Sequence, residues 1–421
     1  MELLLHYAWK HKIFPLKELQ STLGQTVEIL DVGLHNTNAG PDFFNAKVKI
    51  DGTLWVGNIE IHSCSSEWYK HGHHRDEAYN SVILHIAETI DTPVIRSDGE
   101  SIPQMQLSCP ETLKAHYLEL CHTDMYPPCY KIIPSLPSLL AHSWMSTLQS
   151  ERLEQKTEQV MERLKHCNGN WEDAFFITLA RNFGFSLNSE AFERWAHLIP
   201  LRAVDKHRDN LFQIEAIFFG QAGFLEEEIC DEYYEKLQKE YLYLAHKFNL
   251  QRMDVSLWRF LRLRPGNFPS VRMAQLAWLY YQSQGLLSQL LEITCLEQAK
   301  AILSAGTSEY WETHYRFGEP SPKRRKTLSQ SSIDLLLINT VCTFLFAYGR
   351  HKNDETLCQR AIRFLEALKP ENNHITRMWN DCGLKAESAA DTQALIQLKK
   401  EYCDRKRCLY CRFGYEFLKR K

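Results

Sequence analysis

Asp42, Glu60 and His62 have the strongest claim to chemistry in this sequence. Asp42 stands in Asn38-Ala-Gly-Pro-Asp42-Phe, and the other two in Gly57-Asn-Ile-Glu60-Ile-His62. Two positions apart on a strand, Glu60 and His62 project to the same face. Asp42 lies 18 positions earlier (60 − 42), just ahead of a hairpin, so its loop can bring the carboxylate beside that face. Two carboxylates and a backbone carbonyl are what Mg²⁺ or Mn²⁺ prefers, as hard cations that take oxygen ligands. Such an ion lowers the pKa of a water and stabilises charge on a phosphoryl oxygen, and His62 would orient or deprotonate that water. The competing reading is a solvated carboxylate pair beside a surface histidine.

Other groups carry weaker signals. His71, His73 and His74 fall within four residues and can bind Zn²⁺, although they sit in a polar, Gly-containing loop where an exposed cluster is the plainer explanation. Glu2, on the first helix, can add a carboxylate. Near the C-terminus, Cys403-x4-Cys408-x2-Cys411, with Cys382 as fourth member, suits zinc or an iron–sulfur cluster; the alternative is cysteines packed in a helix. Arg259, Arg262 and Arg264 alternate with Trp258, Phe260 and Phe268, a pattern that can track phosphates and stack bases. The aromatics are better read as core and the arginines as its solvated rim. Lys323-Arg-Arg-Lys326 reads as a charged loop, with contact to phosphate as the alternative.

The elements that must position these residues differ between the two ends of the chain. Residues 2–12 carry Leu4, Leu5, Ala8 and Trp9 at helical spacing. Val27 to Leu30, Ala46 to Ile50, Leu54 to His62 and Ser81 to Ala87 have strand composition, with Asp51-Gly52 as a hairpin turn. Asp76 to Asn80 reads as the end of a helix before the last strand. From about Pro134 the periodicity is helical, with runs at 144–166, 174–182, 190–198, 211–219, 231–247, 271–292, 296–304, 333–349, 355–368 and 389–402. Asn170 and Asp173 supply an N-cap and an acidic first turn. Residues 318–332 are polar and basic, hence an exposed linker.

A chain of 421 residues is too long for one ordinary core. Its net charge of −3 confines any nucleic-acid contact to a local patch. The opening MELLLHYAWKHKIF lacks the pattern of a secretory signal, and the apolar stretch Leu335 to Tyr348 is short for a bilayer and reads as a buried helix. Thirteen scattered cysteines favour a reducing compartment. A cytoplasmic protein without membrane contact is the expectation.

Asp42 in its Gly-Pro-Asp setting, followed by Glu60-x-His62 on a hairpin strand, resembles the PD-(D/E)xK nuclease signature. That superfamily orders its core as helix, three-stranded meander, helix and strand, and uses the two acids to bind metal and a lysine to assist the water. His62 stands here where the lysine is expected. His73-x-x-Asp76-x-x-Tyr79 resembles the later motif by which some members hold DNA. Over nearly its full length the chain also resembles an uncharacterised bacterial family, domain of unknown function 2851, through GPDFFNAK, GNIEIHSCSSEW, HGHHRDEAYNSVILH, RPGNFPSVRMAQLA and YCDRKRCLYC. The resemblances imply an α+β chain. A mixed-sheet, restriction-endonuclease-like core at 1–115 would be followed by a helical domain at 134–380 and a C-terminal helix with the cysteine cluster at 381–421. The implied function is a Mg²⁺- or Mn²⁺-dependent nuclease on DNA or RNA, with Asp42, Glu60, His62, His73, Asp76 and Tyr79 at its centre. The alternative is an inactive nucleic-acid-binding or scaffold protein.

Overall fold

A computed structural model describes residues 2–14, 18–123, 125–283 and 285–420. The chain divides into two compact units, one made of 1–141 with 399–421 and the other of 142–398. This partition differs from the expected one, because 399–421 groups with the N-terminal unit and 381–398 with the helical one.

In the first unit a mixed sheet carries β1 (Val27–Asp31), β2 (Leu34–His35), β3 (Phe43–Ile50), β4 (Thr53–Cys64), β5 (Val82–Thr89) and β6 (Gln104–Gln106). Its order is β1-β3-β4-β5-β6, with β2 also on β3. The first pairings are antiparallel, whereas β4–β5 and β5–β6 are parallel. Asp51 and Gly52 join β3 to β4 with both φ angles positive (47° and 77°), which a two-residue hairpin with matching twist requires. Gly57 lets β4 pass close to β5, since a Cβ there would run into Ile83 and come within 2.8 Å of the Ser81 carbonyl. Helix α1 (Glu2–Lys10) packs on β4, burying Leu4, Leu5, Ala8 and Trp9. The expected helix before the last strand is replaced by a single turn, α2 (Glu67–Lys70), and two 3₁₀ turns, His73–Arg75 and Glu77–Tyr79. Asp76 caps the second of these by accepting a hydrogen bond from the Ala78 amide at 2.9 Å.

After β6 comes α3 (Glu111–His122), and the C-terminal helix Arg412–Lys419 packs against it and against the 3₁₀ turn Tyr130–Ser135. Arg420 pairs with Glu119, Lys406 Nζ donates to the Cys121 carbonyl at 3.3 Å, and His116 Nδ1 lies 3.3 Å from the Leu418 carbonyl.

The second unit is helical, apart from the small ladder His314–Arg316 with Glu319–Pro320. Asn170 caps Trp171–Phe183 as expected, accepting from the Glu172 and Asp173 amides. The run expected at 271–292 is two helices, Pro269–Gln282 and Leu286–Glu292; residue 284 lies outside the described residues. Gln330–Lys352 is long and apolar enough to cross a membrane by length and composition, and 72% of its apolar window is buried inside the protein. Trp258 is core, donating from its indole to the Ala222 carbonyl at 2.9 Å, and Arg259, Arg262 and Arg264 are exposed. On either side of them the backbone forms 3₁₀ turns, Val255–Leu257 and Pro265–Asn267. The 318–332 segment is only partly the expected exposed linker, because Lys326 and Leu328 are buried and a helix begins at Gln330.

One buried acid marks this unit. The Glu215 carboxylate accepts from Tyr233 and, at 2.9 Å, from the Ser308 hydroxyl, and burial pushes its pKa up to about 7 against the pull of those two donors. The folded chain therefore keeps a proton that the unfolded chain releases as pH rises from the ordinary carboxyl value to 7. Stability falls through that window, and above it the deficit is on the order of 3 kcal/mol. Glu215→Gln is expected to raise the melting temperature at pH 8 and to flatten its decline between about pH 5 and 7. Thermal melts across pH check this; an unchanged slope refutes it.

Candidate metal centre

Asp42, Glu60 and His62 do converge, and the fold adds residues from four further segments. Asp42 directly precedes β3, where its Oδ2 accepts from the Ile61 amide at 2.9 Å. Glu60 Oε2 in turn accepts from the Asp42 amide at 3.1 Å, so the two acids hold each other's strands. Glu60 and His62 share a face of β4 and are almost fully buried, at 4% and 1% exposure. His73 Nε2 lies 3.1 Å and His62 Nε2 3.5 Å from Glu60 Oε1. From α1, His6 Nε2 reaches Asp42 Oδ2 at 3.3 Å. His71 Nδ1 stands 3.2 Å from His62 Nε2, and one nitrogen from each of His62, His71 and His73 falls within 4.8 Å of the others.

Behind this group lies a second layer. His85 on β5 sits opposite Glu60 in register, and its Nε2 is 2.9 Å from His62 Nδ1. Gln104 on β6 approaches the other His85 nitrogen at 3.5 Å. Tyr79 stacks on His73 with ring centres 3.8 Å apart, which fixes that imidazole against Glu60. Glu2 belongs to the same neighbourhood, because its charge acts on His6, Glu60 and His73. Asp76 serves as a cap, and His74 packs against Tyr69 outside the three-histidine group.

Charge in so dry a place is arranged by burial. Burial first, then the Asp42 charge, pushes the Glu60 carboxyl up to about 9. Burial, then the imidazoles of His85, His73 and His71, pushes His62 down to about 2, and His85 falls to about 3 for the same first reason. Burial opposes a proton on His6, but the hydrogen bond and charge of Asp42 outweigh it and raise that pKa. The imidazole at position 62 is thus neutral, a form that offers a lone pair, whereas Asp42 favours the protonated form of His6.

Does the donor set fit a metal ion? His73 Nε2 is buried, lies at 3.1 Å from a carboxylate oxygen, and has no properly angled hydrogen bond. A buried imidazole nitrogen without a hydrogen bond is costly, and a cation held between it and the carboxylate satisfies both groups. Asp42, Glu60, His62, His71 and His73 would hold the ion. Three imidazoles with one or two carboxylates suit Mn²⁺ or Zn²⁺ better than the Mg²⁺ that carboxylates alone would favour.

A family model described as a protein of unknown function, DUF2851, matches residues 2–374. The chain belongs to that family. No curated protein and no solved structure matches it. The matched span covers every residue of the DUF2851 centre described above, and the C-terminal cysteines lie beyond it.

The DUF2851 chain gathers a second group of donors at those cysteines. Cys403 ends a helix that runs on from Ala389–Gln397, Cys408 opens a 3₁₀ turn, and Cys411 caps Arg412–Lys419. The expected fourth member, Cys382, sits in the helical unit at the end of His374–Asp381, with Asp381 as the charge acting on its thiol. Cys129, which caps Tyr130–Ser135, acts on the Cys403 thiol, and Cys121 at the end of α3 acts on Cys408. Burial, then the thiols of Cys411, Cys129 and Cys408, holds the Cys403 thiol far above its ordinary value. Cys408 is pushed up to about 12 by burial, then by Cys411 and Cys121. Proximity in sequence favoured Cys382; the packing of the C-terminal helix on α3 favours Cys129. Among the described residues no cysteine is in a disulfide.

His6, His85 and Gln104 were missed in the sequence. His6 follows Glu2 by one helical turn and stands among the apolar residues of α1, and His85 is the lone polar residue within Val82-Ile-Leu-His-Ile-Ala87. A polar residue inside an otherwise apolar face was the available signal for both.

Proposed function

We propose that this protein is a divalent-metal-dependent hydrolase of phosphodiester bonds in DNA or RNA. The observation that carries the reading is the cluster of Asp42, Glu60, His62 and His73, in which the buried His73 Nε2 makes no hydrogen bond and stands 3.1 Å from the Glu60 carboxyl. When bound there, a metal ion supplies Lewis acidity at a phosphoryl oxygen and acidifies a water. The Ile61 amide and His6 hold the Asp42 carboxylate in place, and Tyr79 and the His85–Gln104 layer fix the two imidazoles. Such outer partners set which nitrogen is available to the ion. Asp42 favours the protonated form of His6, which in that form would bring from α1 a positive charge that a lysine would have supplied at position 62. The mixed sheet, with its meander β1-β3-β4 and parallel β5, supports the reading at the level of fold alone.

The test is cleavage of linear, nicked and single-stranded DNA and of RNA with Mg²⁺, Mn²⁺ or Zn²⁺. Cleavage that needs the ion and is strongest with Mn²⁺ or Zn²⁺ supports the proposal. Salt-sensitive binding without cleavage under any ion replaces it with an inactive nucleic-acid-binding core.

For the cysteines, the reading is a thiolate site formed by Cys129, Cys403, Cys408 and Cys411 around zinc or an iron–sulfur cluster. Burial raises the thiols of Cys403 and Cys408, and with neighbouring Cys129 and Cys411 they are a donor set that such a metal deprotonates on binding. Its role would be structural.

A further inference from the structure

The helical unit contains a cavity of about 710 Å³ whose lining includes Arg264, Arg272, Arg324, Arg325 and Lys326 and no acidic side chain. Arg272 is its anchor. It is 6% exposed, its guanidinium lies 4.3 Å from the centre of the Phe185 ring, and its NH groups donate to Gln275 at 2.9 Å, Asn267 at 2.6 Å and Ser332 at 3.3 Å. All three acceptors are neutral, and the buried Nε has no partner. Desolvation draws the pKa of this arginine down to about 10. The same unit handles another pair of arginines differently, with Arg163 and Arg181 both on the Glu193 carboxylate. Among the described residues, none of the five cations around the cavity forms an ion pair.

A buried guanidinium without a counter-charge is unfavourable by several kcal/mol unless a ligand supplies the charge. Two helix starts add to the same field. Pro269–Gln282 begins beside Asn267, and Gln330–Lys352 begins beside Ser329, whose hydroxyl accepts from the Ser332 amide. Helix N-termini present free N–H groups and a partial positive charge to an anion. The cavity also exceeds what one small inorganic ion fills. Lys326 is committed elsewhere, donating to the Trp311 carbonyl and lying over the Tyr315 ring at 4.1 Å, so it contributes field more than contact. Arg264, Arg324 and Arg325 are exposed at the rim and form no ion pair among the described residues.

We propose that this cavity is a binding site for a ligand carrying two or more phosphate groups, with Arg272 gripping one at depth and Arg264 and Arg325 holding the next at the mouth. Arginine suits the task because its planar fork meets two phosphate oxygens at once. The site belongs to the helical unit and stands apart from the hydrolase reading; it holds whether or not the other unit cuts nucleic acid.

The experiment measures binding of three probes to the full chain: pyrophosphate, a nucleoside triphosphate, and a 5′-phosphorylated single-stranded oligonucleotide. It is run in EDTA and low salt on the Glu60→Gln background, so cleavage cannot interfere. Pyrophosphate and the triphosphate should bind and raise the melting temperature, and Arg264→Gln with Arg325→Gln should weaken both at least roughly tenfold, the loss of about two charge-assisted contacts. The charge-matched pair Lys239→Gln and Lys385→Gln should leave affinity unchanged. Arg272→Met should lose the ligand-dependent rise in melting temperature. Binding of the oligonucleotide alone, with the same losses, would assign the site to a nucleic-acid backbone. No binding of any probe, or equal affinity in the rim variant and its control, overturns the proposal.

Discussion

Glu60→Gln is expected to reduce metal-dependent cleavage by roughly a thousandfold, about 4 kcal/mol of transition-state stabilisation, while leaving the protein folded and at least as stable. The two halves of this expectation have one cause. Burial and the Asp42 charge keep Glu60 protonated in the absence of metal, and its Oε2 only has to accept from the Asp42 amide. Glutamine reproduces that neutral, accepting state. It cannot become the carboxylate that a cation requires. The raised folded pKa also means that the wild-type site loses stability as pH rises from the ordinary carboxyl range toward 9, whereas the variant does not. Cleavage rates with Mn²⁺ or Zn²⁺, metal titrations and thermal melts at pH 8 check both halves. A variant that is inactive because it has unfolded would show in the melt; one that cuts at the wild-type rate would remove Glu60 from the chemistry.

The sequence disclosed the parts of this centre that are strictly local. Strand alternation puts Glu60 and His62 on one face, and Asp51-Gly52 dictates the hairpin that sets β3 against β4. What it could not disclose depends on pairing between distant segments. The parallel register of β4 with β5 brings His85 behind His62, and the docking of α1 on the sheet brings His6 to Asp42. Neither distance can be read from one-dimensional spacing. The loop after β4 shows the converse error. Its histidines look solvent-facing by composition, yet Trp68 and Tyr79 bury His73 against Glu60. In the helical unit, periodicity marked most runs but not the end of one helix at Gln282 and the start of the next at Leu286, where Gly285 turns the chain with a positive φ. The basic 323–326 stretch looked like a solvated loop because charge usually faces water, and the exception, Lys326, is held by the Trp311 carbonyl and the Tyr315 ring.

Cys129→Ser and Cys403→Ser are each expected to strip the protein of its thiolate-bound metal and to lower its melting temperature sharply, whereas Cys382→Ser should change neither. The size of the effect follows from where the four thiols sit along the chain. Cys129 precedes the helical unit and Cys403 follows it, 274 positions later (403 − 129). A metal that joins them closes a very long loop in the unfolded chain, and by the loop-entropy estimate used for cross-links this stabilises the fold by up to roughly 5 kcal/mol. Loss of the metal would leave the turn between Cys403 and the C-terminal helix to its own hydrogen bonds, among them Lys406 N to the Cys403 carbonyl and Cys411 N to the Cys408 carbonyl. That turn has little slack, since a Cβ at Gly414 would collide with the Cys408 carbonyl. Elemental analysis of anaerobically purified protein separates the two metals: one zinc per chain and no colour, or several irons with visible absorption that reductant bleaches. Wild-type protein free of both, or undiminished metal in the Cys129→Ser and Cys403→Ser variants, would leave the cysteines as packing alone and the link between the two ends of the first unit to Arg420–Glu119 and its neighbours.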